Sequence, residues 1–400
     1  MPRPSPPSHV AFGIGCYSFT APDADNLLLQ NPEGKYLVQD WAQDVELALK
    51  AIPGLDEISV LGFGSVRGET PPTWRTAIED VFRDEPDSPY HPGGDLLPHP
   101  VSGRIAFAAT IPTHTQMQVF SPSRAMHGTR FEIDIRYGYG MPVAFVRAPD
   151  GEVAPSMAVA IVREFLWSEF AQRASDADPI RFTCMGPSPM WNDCFVAISD
   201  DPLGVPLAVE VLDTPGYQTI NFSVQATSEV ADKEDAYEFV KESTQDELQL
   251  YFDLISRRNL LDLHLSFIEA SLESLVWQHR STRISDRLSR FFRGGQQATD
   301  LILEILAAES EYGRAFGGAS AEWQEVRGRS MTHPFDKAFE RELSNESSVY
   351  FENARSVVTF LNERHGRENQ AVSVIASSLL GGLVGAAITA VVQRVCRKNR

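Results

Sequence analysis

Two acidic residues at strand spacing and a glycine-rich turn are the residues of this chain best suited to chemistry. Glu132 and Asp134 alternate with apolar residues in a strand-like run, so their side chains point to the same side. Two carboxylates on one strand face are suited to holding a pair of metal ions. The turn follows an earlier strand-like run and contains Gly64 and Ser65. These four residues are the catalytic candidates.

The order of helix, strand and turn around Gly64 and Ser65 resembles the opening motif of the polymerase-β-like nucleotidyltransferases. The resemblance implies that the Gly-Ser turn holds the nucleotide phosphates and that a following Asp-x-Asp pair holds two metal ions. This chain departs from the family, since Glu79 and Asp80 are adjacent and Glu132 lies 67 residues after Ser65. A large insertion or a degenerate, inactive domain is therefore required. The alternative is a glycine turn and an exposed acidic strand face.

A dinucleotide-binding loop is a third interpretation of the same turn. That loop needs a helix to begin at the glycines, so that the N–H groups of its first turn face the pyrophosphate. Pro71 and Pro72 delay the helix in this chain, which argues against the interpretation.

A second set of side chains has the chemistry of metal ligands. His91, Asp95 and His99 can each bind zinc or another divalent ion. They lie among prolines and glycines, with neither helical nor strand spacing to direct them to one point. A surface loop is therefore the alternative to a metal site.

The remaining motifs identify no reaction and no cofactor. The chain has no Gly-x-Ser-x-Gly elbow, Walker loop or His-Glu-x-x-His motif. Its four cysteines form no CxxC pair, which is typical of a reducing compartment. Cys184 and Cys194 flank a proline-rich turn and are either neighbours across a hairpin or small buried apolar residues. Catalysis is uncertain, and a non-enzymatic function is favoured.

The overall charge excludes one class of partner. The chain has a net charge of −19, and a body this acidic repels a nucleic-acid backbone. Before residue 229 there are 28 acidic and 14 basic residues, so −14 of the −19 lies there. We therefore predict an acidic N-terminal domain that binds no nucleic acid and is open to a protein partner.

The segment Ala371 to Val392 has the composition of a membrane-spanning helix. Its 22 residues include no charged residue and no proline, and as a helix they would span about 33 Å. Arg364 and Arg367 precede the segment, and a basic tail, residues 393–400, follows it. The sequence therefore predicts one C-terminal transmembrane helix. A helix buried in a large core is the alternative.

Small residues recur along this segment at helical spacing. They form two adjacent rows that let two helix backbones approach closely. We therefore expect the membrane helix to associate with copies of itself. The residues of this association surface are Ser377, Gly381 and Gly385 in one row, and Ser378, Gly382 and Ala386 in the other.

The topology follows from the same reasoning. Residues 1–8 form a Pro- and Ser-rich tail without the features of a signal peptide. We therefore expect a single-pass protein whose N-terminal body lies in the cytoplasm. The basic C-terminal tail weakly opposes this orientation, because positive charge prefers the cytoplasmic side.

Residues 9–228 alternate between strand-like and helical patterns, which predicts an α+β domain with a mixed sheet. Helices are expected at Leu37–Ala51, Thr73–Arg83 and Pro155–Ala174. Strands are expected at Val10–Phe19, Glu57–Phe63, Arg104–Ile111, Phe131–Tyr137, Val143–Arg147, Ile180–Cys184, Cys194–Ser199, Leu207–Leu212 and Thr219–Gln225.

Residues 229–366 are predicted to be a helical stalk or bundle with coiled-coil packing. A first helix has an apolar stripe from Tyr251 to Leu275, and a second helix, Thr299 to Tyr312, ends at a glycine-rich break at Gly313, Gly317 and Gly318. A third helical run is expected after Pro334, with seven residues on the same face of the helix. Its residues are Phe339, Leu343, Glu346, Tyr350, Ala354, Val357 and Leu361.

The order of an α+β head, a helical stalk and a membrane helix resembles the layout of the CorA-type magnesium channels. The resemblance is architectural only, because the chain has neither a second membrane helix nor a Gly-Met-Asn motif. The leading hypothesis is a membrane-anchored sensor, adaptor or effector that forms homo-oligomers. The alternatives are a CorA-like ion-conducting assembly and a degenerate nucleotidyltransferase domain on a membrane anchor.

Overall fold

A computed structural model describes most of the chain between residues 9 and 363, and these residues form two compact units. The units are Met1–Leu260 with Ala315–Ser344, and Leu261–Arg314 with Asn345–Arg400. The described residues are 9–20, 38–63, 74–76, 98–100, 102–119, 128–138, 141–149, 153–173, 180–185, 192–199, 202–214, 217–280, 284–329, 333–344, 351–361 and 363.

The fold is α+β, as predicted, and is built on a nine-stranded mixed sheet. All nine predicted strands are present, with no end shifted by more than two residues. The strands are β1 (Val10–Thr20), β2 (Leu55–Leu61), β3 (Trp74–Thr76), β4 (Pro98–Pro100), β5 (Gly103–Thr110), β6 (Arg130–Tyr137), β7 (Val143–Arg147), β8 (Arg181–Met185), β9 (Asn192–Ser199), β10 (Leu207–Thr214) and β11 (Tyr217–Gln225).

The sheet has the order β10-β11-β9-β1-β7-β6-β5-β2, and β8 also pairs with β1. Its described ladders are antiparallel except for β9 and β11, which are parallel. The described helices are α1 (Val38–Lys50), α2 (Thr113–Val119), α3 (Pro155–Arg173), α4 (Lys233–Arg280), α5 (Ile284–Arg329) and α6 (Asp336–Leu343), and residues 351–361 are also helical.

One face of the sheet is covered by α1 and α3. The buried residues of α1 recur at helical spacing, and Trp41 also donates a hydrogen bond from Nε1 to the carbonyl oxygen of Phe19 at 3.2 Å. Helix α3 lies so close to β1 that a Cβ added at Gly13 would be only 2.5 Å from Val159 Cγ2. The glycine therefore sets the distance between helix and strand.

The opposite face of the sheet is covered by the first part of α4. Tyr237 packs against Phe12 with ring centroids 5.1 Å apart, and Phe12 contacts Phe145 and Phe222 of the same face. Successive strand residues point to opposite faces, so the even-numbered residues of β6 also face α4. Among them are Glu132 and Asp134.

The start of α4 follows from its sequence. Asp232 Oδ1 accepts hydrogen bonds from the backbone N–H groups of Glu234 at 2.8 Å and Asp235 at 3.0 Å. In return, Asp235 Oδ2 accepts from the N–H of Asp232 at 3.3 Å. This reciprocal arrangement is a capping box and satisfies N–H groups that have no partner inside the helix.

The apolar stripe predicted on α4 is buried in part, and its Leu265 and Leu272 are half-buried. Tyr251, Leu254, Ile268 and Leu275 are buried, and the helix continues through all of them.

Three predictions about helices are wrong. Trp74–Thr76, predicted to be helical, is a strand paired with β4, which suits its aromatic and β-branched side chains; the rest of Thr73–Arg83 lies outside the described residues. In the third helical run, after Pro334, Val357 is predicted to lie on the same face as Ala354 and Leu361. It is 42% exposed, and Val358 is buried in its place. The inward side of residues 351–361 is formed by Phe351, Ala354, Val358 and Leu361.

The expected break at Gly313, Gly317 and Gly318 is also wrong, because α5 continues through all three glycines. A helix-interior glycine costs only about 1 kcal/mol relative to alanine, which the packing of a 46-residue helix outweighs. A Cβ at Gly313 or Gly317 would meet nothing within 4 Å.

We therefore expect Gly317→Ala to stabilise the protein by about 1 kcal/mol, since alanine is the better helix former and has open space. Thermal unfolding of the two proteins measures the difference. Gly204→Ala is the control, because its site is equally open but its φ is +74°, far from the helical value. That substitution should destabilise by about 1 kcal/mol through backbone strain. Equal shifts for both variants would contradict the helical conformation at Gly317.

The three cysteines that the structure describes, Cys16, Cys184 and Cys194, are buried and form no disulfide. Cys184 lies opposite Tyr17 in the pairing of β1 with β8, and Cys194 lies opposite Phe12 in the pairing of β1 with β9, so they are not neighbours across a hairpin. Neither forms a disulfide, and burial raises the pKa of Cys184 to about 12. They serve as small apolar core residues.

Candidate functional site

The acidic pair of β6 lies in a dense group of charged side chains between the sheet and α4. We call this group the ion-pair cluster. It contains four cations and four carboxylates: Arg104, Arg136, Arg147 and Lys241, with Glu132, Asp134, Glu234 and Glu238.

Asp134 is the centre of the cluster and is 6% exposed. Arg104 binds it with two parallel hydrogen bonds, from Nε to Oδ1 at 2.7 Å and from Nη2 to Oδ2 at 2.9 Å. Lys241 donates from Nζ to Oδ2 at 2.6 Å, and Arg136 Nη2 lies 3.2 Å from the same oxygen. Three cations therefore surround one carboxylate.

The pKa of Asp134 is lowered. Burial by itself would raise it, but the charges of Lys241 and Arg136 and the hydrogen bonds from Lys241 and Arg104 outweigh that effect. The carboxylate is therefore held as an anion.

Glu238, on the second turn of α4, binds the same cations from the helix side. It lies 2.6 Å from Lys241 Nζ and 3.7 Å from Arg104 Nη1, and it accepts a short hydrogen bond from Arg136. Burial would raise its pKa, but Lys241 and Arg136 lower it below the usual value. Sheet and helix thus share one set of cations.

Glu132 forms the second part of the cluster with Arg147 of β7. Arg147 binds Glu132 through Nε and also donates from Nη1 to Glu234 of α4 at 2.6 Å. Its guanidinium lies over the ring of Tyr237, 5.3 Å from the centroid, and Lys241 Nζ lies 4.5 Å from the same ring. The pKa of Tyr237 is raised, first by burial and then by Asp134.

The charges of the two sides are complementary. The sheet contributes three arginines and two carboxylates, whereas α4 contributes one lysine and two carboxylates. The sheet surface is therefore positive by one charge and the helix surface negative by one. The arrangement fixes α4 on the sheet, because separating the two would leave buried charges unpaired.

This geometry bears on the chemistry predicted for Glu132 and Asp134. Both face the same side of β6, but both are bound by cations rather than open to a metal ion. Within the part of the chain that the structure describes, no group of three or more His, Cys, Asp or Glu side chains is arranged to hold a metal. A carboxylate held by three cations is a structural anchor and a poor general acid.

Of the other predicted site residues, His99 alone belongs to the part of the chain that the structure describes. Gly64 and Ser65 lie outside the described residues, so their approach to Glu132 and Asp134 stays a prediction. His91 and Asp95 also lie outside them, so the separate metal site predicted for these two residues with His99 stays a prediction as well. His99 lies on β4, opposite Arg75. The predicted membrane-helix residues also lie outside the described residues: Ser377, Ser378, Gly381, Gly382, Gly385 and Ala386.

Sequence reasoning missed the cations of the cluster. A signal was present, because β6 has charged residues at every even position, from Arg130 to Arg136, and apolar residues between them. Alternation of this kind is typical of a strand with one exposed face. Here the charged face is covered by α4, whose lysine and two carboxylates complete the pairs.

Comparisons with protein-family models, with curated protein sequences and with solved structures found no match for this chain. The case for its function therefore rests on its own residues and geometry.

Proposed function

We propose that this protein is a membrane-anchored sensor, adaptor or effector without catalysis, whose α+β head binds a partner in the cytoplasm. Its helices and its Gly-rich C-terminal segment assemble copies of the chain. The observation that carries the proposal is the uncharged segment 371–392, with basic residues on both sides and two rows of small residues.

The second compact unit supports the assembly of copies. Twelve large apolar residues are markedly exposed in the described structure, and six of them belong to this unit. They are Phe267 and Trp277 on α4, Leu303 and Leu306 on α5, and Val357 and Phe360 on residues 351–361. Exposed apolar residues on helices are suited to packing against other helices, in the manner of a coiled coil.

The continuity of α4 supports a sensor. Its first residues are fixed on the sheet by the ion-pair cluster, and its 48 residues belong partly to each compact unit. A partner that altered the cluster would therefore act on one end of a helix whose other end lies in the second unit.

None of the described helices is sufficiently long and apolar to cross a bilayer. The segment 371–392 lies outside the described residues, so the anchor rests on its sequence. Fractionation of the full-length chain beside a variant ending at Asn369 tests it directly. Only the full-length chain should resist carbonate extraction. If both proteins were extracted, the segment would not be an anchor and the proposal would fail.

A second prediction concerns the association surface, the two rows of small residues in segment 371–392. We expect the double variant Gly381→Leu with Gly385→Leu to lose self-association in mild detergent, because the added side chains keep the two backbones apart. Membrane retention should persist, since leucine is at least as apolar. Size estimation in detergent measures the oligomer.

Val384→Leu is the matched control for this experiment. It enlarges a side chain that lies on neither row of small residues, so the oligomer should persist. An unchanged oligomer in the double variant would rule out assembly through this surface, whatever the fractionation shows.

A further inference from the structure

A buried carboxyl group joins α4 to the turn that leads into α6. Glu247 is only 2% exposed, and its Oε1 accepts a hydrogen bond from the backbone N–H of Phe335 at 3.0 Å. Both residues belong to the first compact unit. We call this pair the Glu247 contact and residues 333–336 the α6 turn.

A negative charge on Glu247 would be poorly compensated. Its Oε2 has no hydrogen-bond partner among the described residues. From the α6 turn it faces Asp336, which is also acidic. Arg327 of α5 is paired with Asp336, at 2.9 Å. His333 Nδ1, in the same turn, is buried without a described partner. An isolated carboxylate in such a place is costly.

Protonation of Glu247 removes this uncompensated charge. Burial is the main effect that raises the pKa of Glu247, to about 8; the hydrogen bond from Phe335 lowers it and the charge of Asp336 raises it. Glu247 is therefore neutral in the closed contact at neutral pH. When the contact opens and water reaches the carboxyl, the group ionises as an ordinary glutamate does.

We propose that the Glu247 contact is a pH-dependent switch, which holds the α6 turn on α4 while Glu247 is protonated and releases the turn when Glu247 ionises. The switch goes beyond the membrane-anchored function proposed above and does not depend on it. The rest of α6 is held separately, by Trp323 stacked on Phe339 at 4.1 Å and by the ion pair of Arg258 with Glu342.

The direction of the pH effect follows from proton linkage. Between the pKa of an exposed glutamate, 4.5, and the value of about 8 in the contact, opening releases one proton. The opening equilibrium constant therefore rises about tenfold per pH unit in this range and levels off above about pH 8. Acid closes the turn and alkali opens it.

Hydrogen exchange of the Phe335 amide in the full-length chain tests the switch. After correction for intrinsic base catalysis, its opening constant should rise about tenfold per pH unit between pH 5 and 8. Glu247→Gln should remove this slope and keep the turn closed, because the amide oxygen still accepts from Phe335 and carries no charge. Glu242→Gln, an exposed carboxyl on the same helix, should retain the slope.

Two results would overturn the switch. One is a wild-type slope that persists in Glu247→Gln, which would assign the proton to another group. The other is no slope in wild type. A carbon-13 carboxyl spectrum gives an independent check, since one glutamate resonance should titrate near pH 8 and be absent from Glu247→Gln. The Ser344 amide, which donates to the Glu340 carbonyl oxygen at 2.9 Å at the end of α6, should have an opening constant that does not change with pH in all three proteins.

Discussion

Asp134→Ala is expected to destabilise the first compact unit by about 3–5 kcal/mol, the usual cost of removing one partner from a buried ion pair. The substitution removes a carboxylate that pairs with Arg104, Arg136 and Lys241. The loss is costly because Arg136 and Lys241 are themselves buried. Glu238 alone then faces all three cations. Amide hydrogen exchange of β5 and β6 in the full-length chain measures the loss without requiring that both units unfold together.

Asp56→Asn is the matched control for Asp134→Ala. Asp56 is also an aspartate paired with an arginine, Arg130 at 3.3 Å, but this pair is exposed to solvent. Its loss should cost no more than about 1 kcal/mol. Similar effects at the two positions would contradict the buried cluster.

The effect of Asp134 should also depend on pH. Because its pKa is lowered in the fold, its ionised form stabilises the protein above the ordinary aspartate value of about 3.9. That stabilisation is lost as the pH falls through the lowered pKa. The difference between wild type and Asp134→Ala should therefore shrink at strongly acid pH.

The strands could be predicted from sequence because their signal is local. In β6, charged and apolar residues alternate without interruption, and β7 is a short apolar run bounded by turn residues. The predicted and observed ends of β7 are identical, at Val143 and Arg147. Local alternation identifies a strand and tells which residues share a face.

The covering of that face could not be predicted, because it depends on residues distant in the chain. Lys241 lies 107 positions after Asp134, its partner. Nothing in the alternation of β6 tells whether its charged side meets water or a helix. The sequence therefore suggested metal ligands where the fold forms ion pairs.

The wrong helix boundaries have a related cause. A glycine lowers helix propensity by an amount that tertiary packing easily outweighs, so Gly317 did not end α5. The prediction for Val357 assumes that one helix, with one helical period, runs from Phe339 to Leu361. The structure ends α6 at Leu343, so the phase of the later helix starts anew.

Gly13→Ala is expected to destabilise the first unit by about 3 kcal/mol or more, at the upper end of the cost of overpacking. The new Cβ would overlap the carbonyl group of Pro155 as well as Val159. A backbone atom cannot move aside as a side chain can, so α3 must shift. The shift would also disturb the hydrogen bond from the Ser156 N–H to Asp193 Oδ1, which is 2.9 Å long. Thermal unfolding and exchange of the Ser156 amide measure the two effects.

Gly15→Ala separates this effect from the general loss of a glycine in β1. Gly15 faces the same helix from the same strand, but its Cβ would meet only side chains, with Val159 Cγ1 at 2.9 Å and Tyr17 Cε1 at 3.2 Å. Rotation of these groups relieves most of the overlap, so the expected cost is about 1 kcal/mol. If Gly13→Ala cost no more than Gly15→Ala, then α3 would not be held against β1 by backbone contact. The inference that Gly13 sets the distance between α3 and β1 would then be wrong.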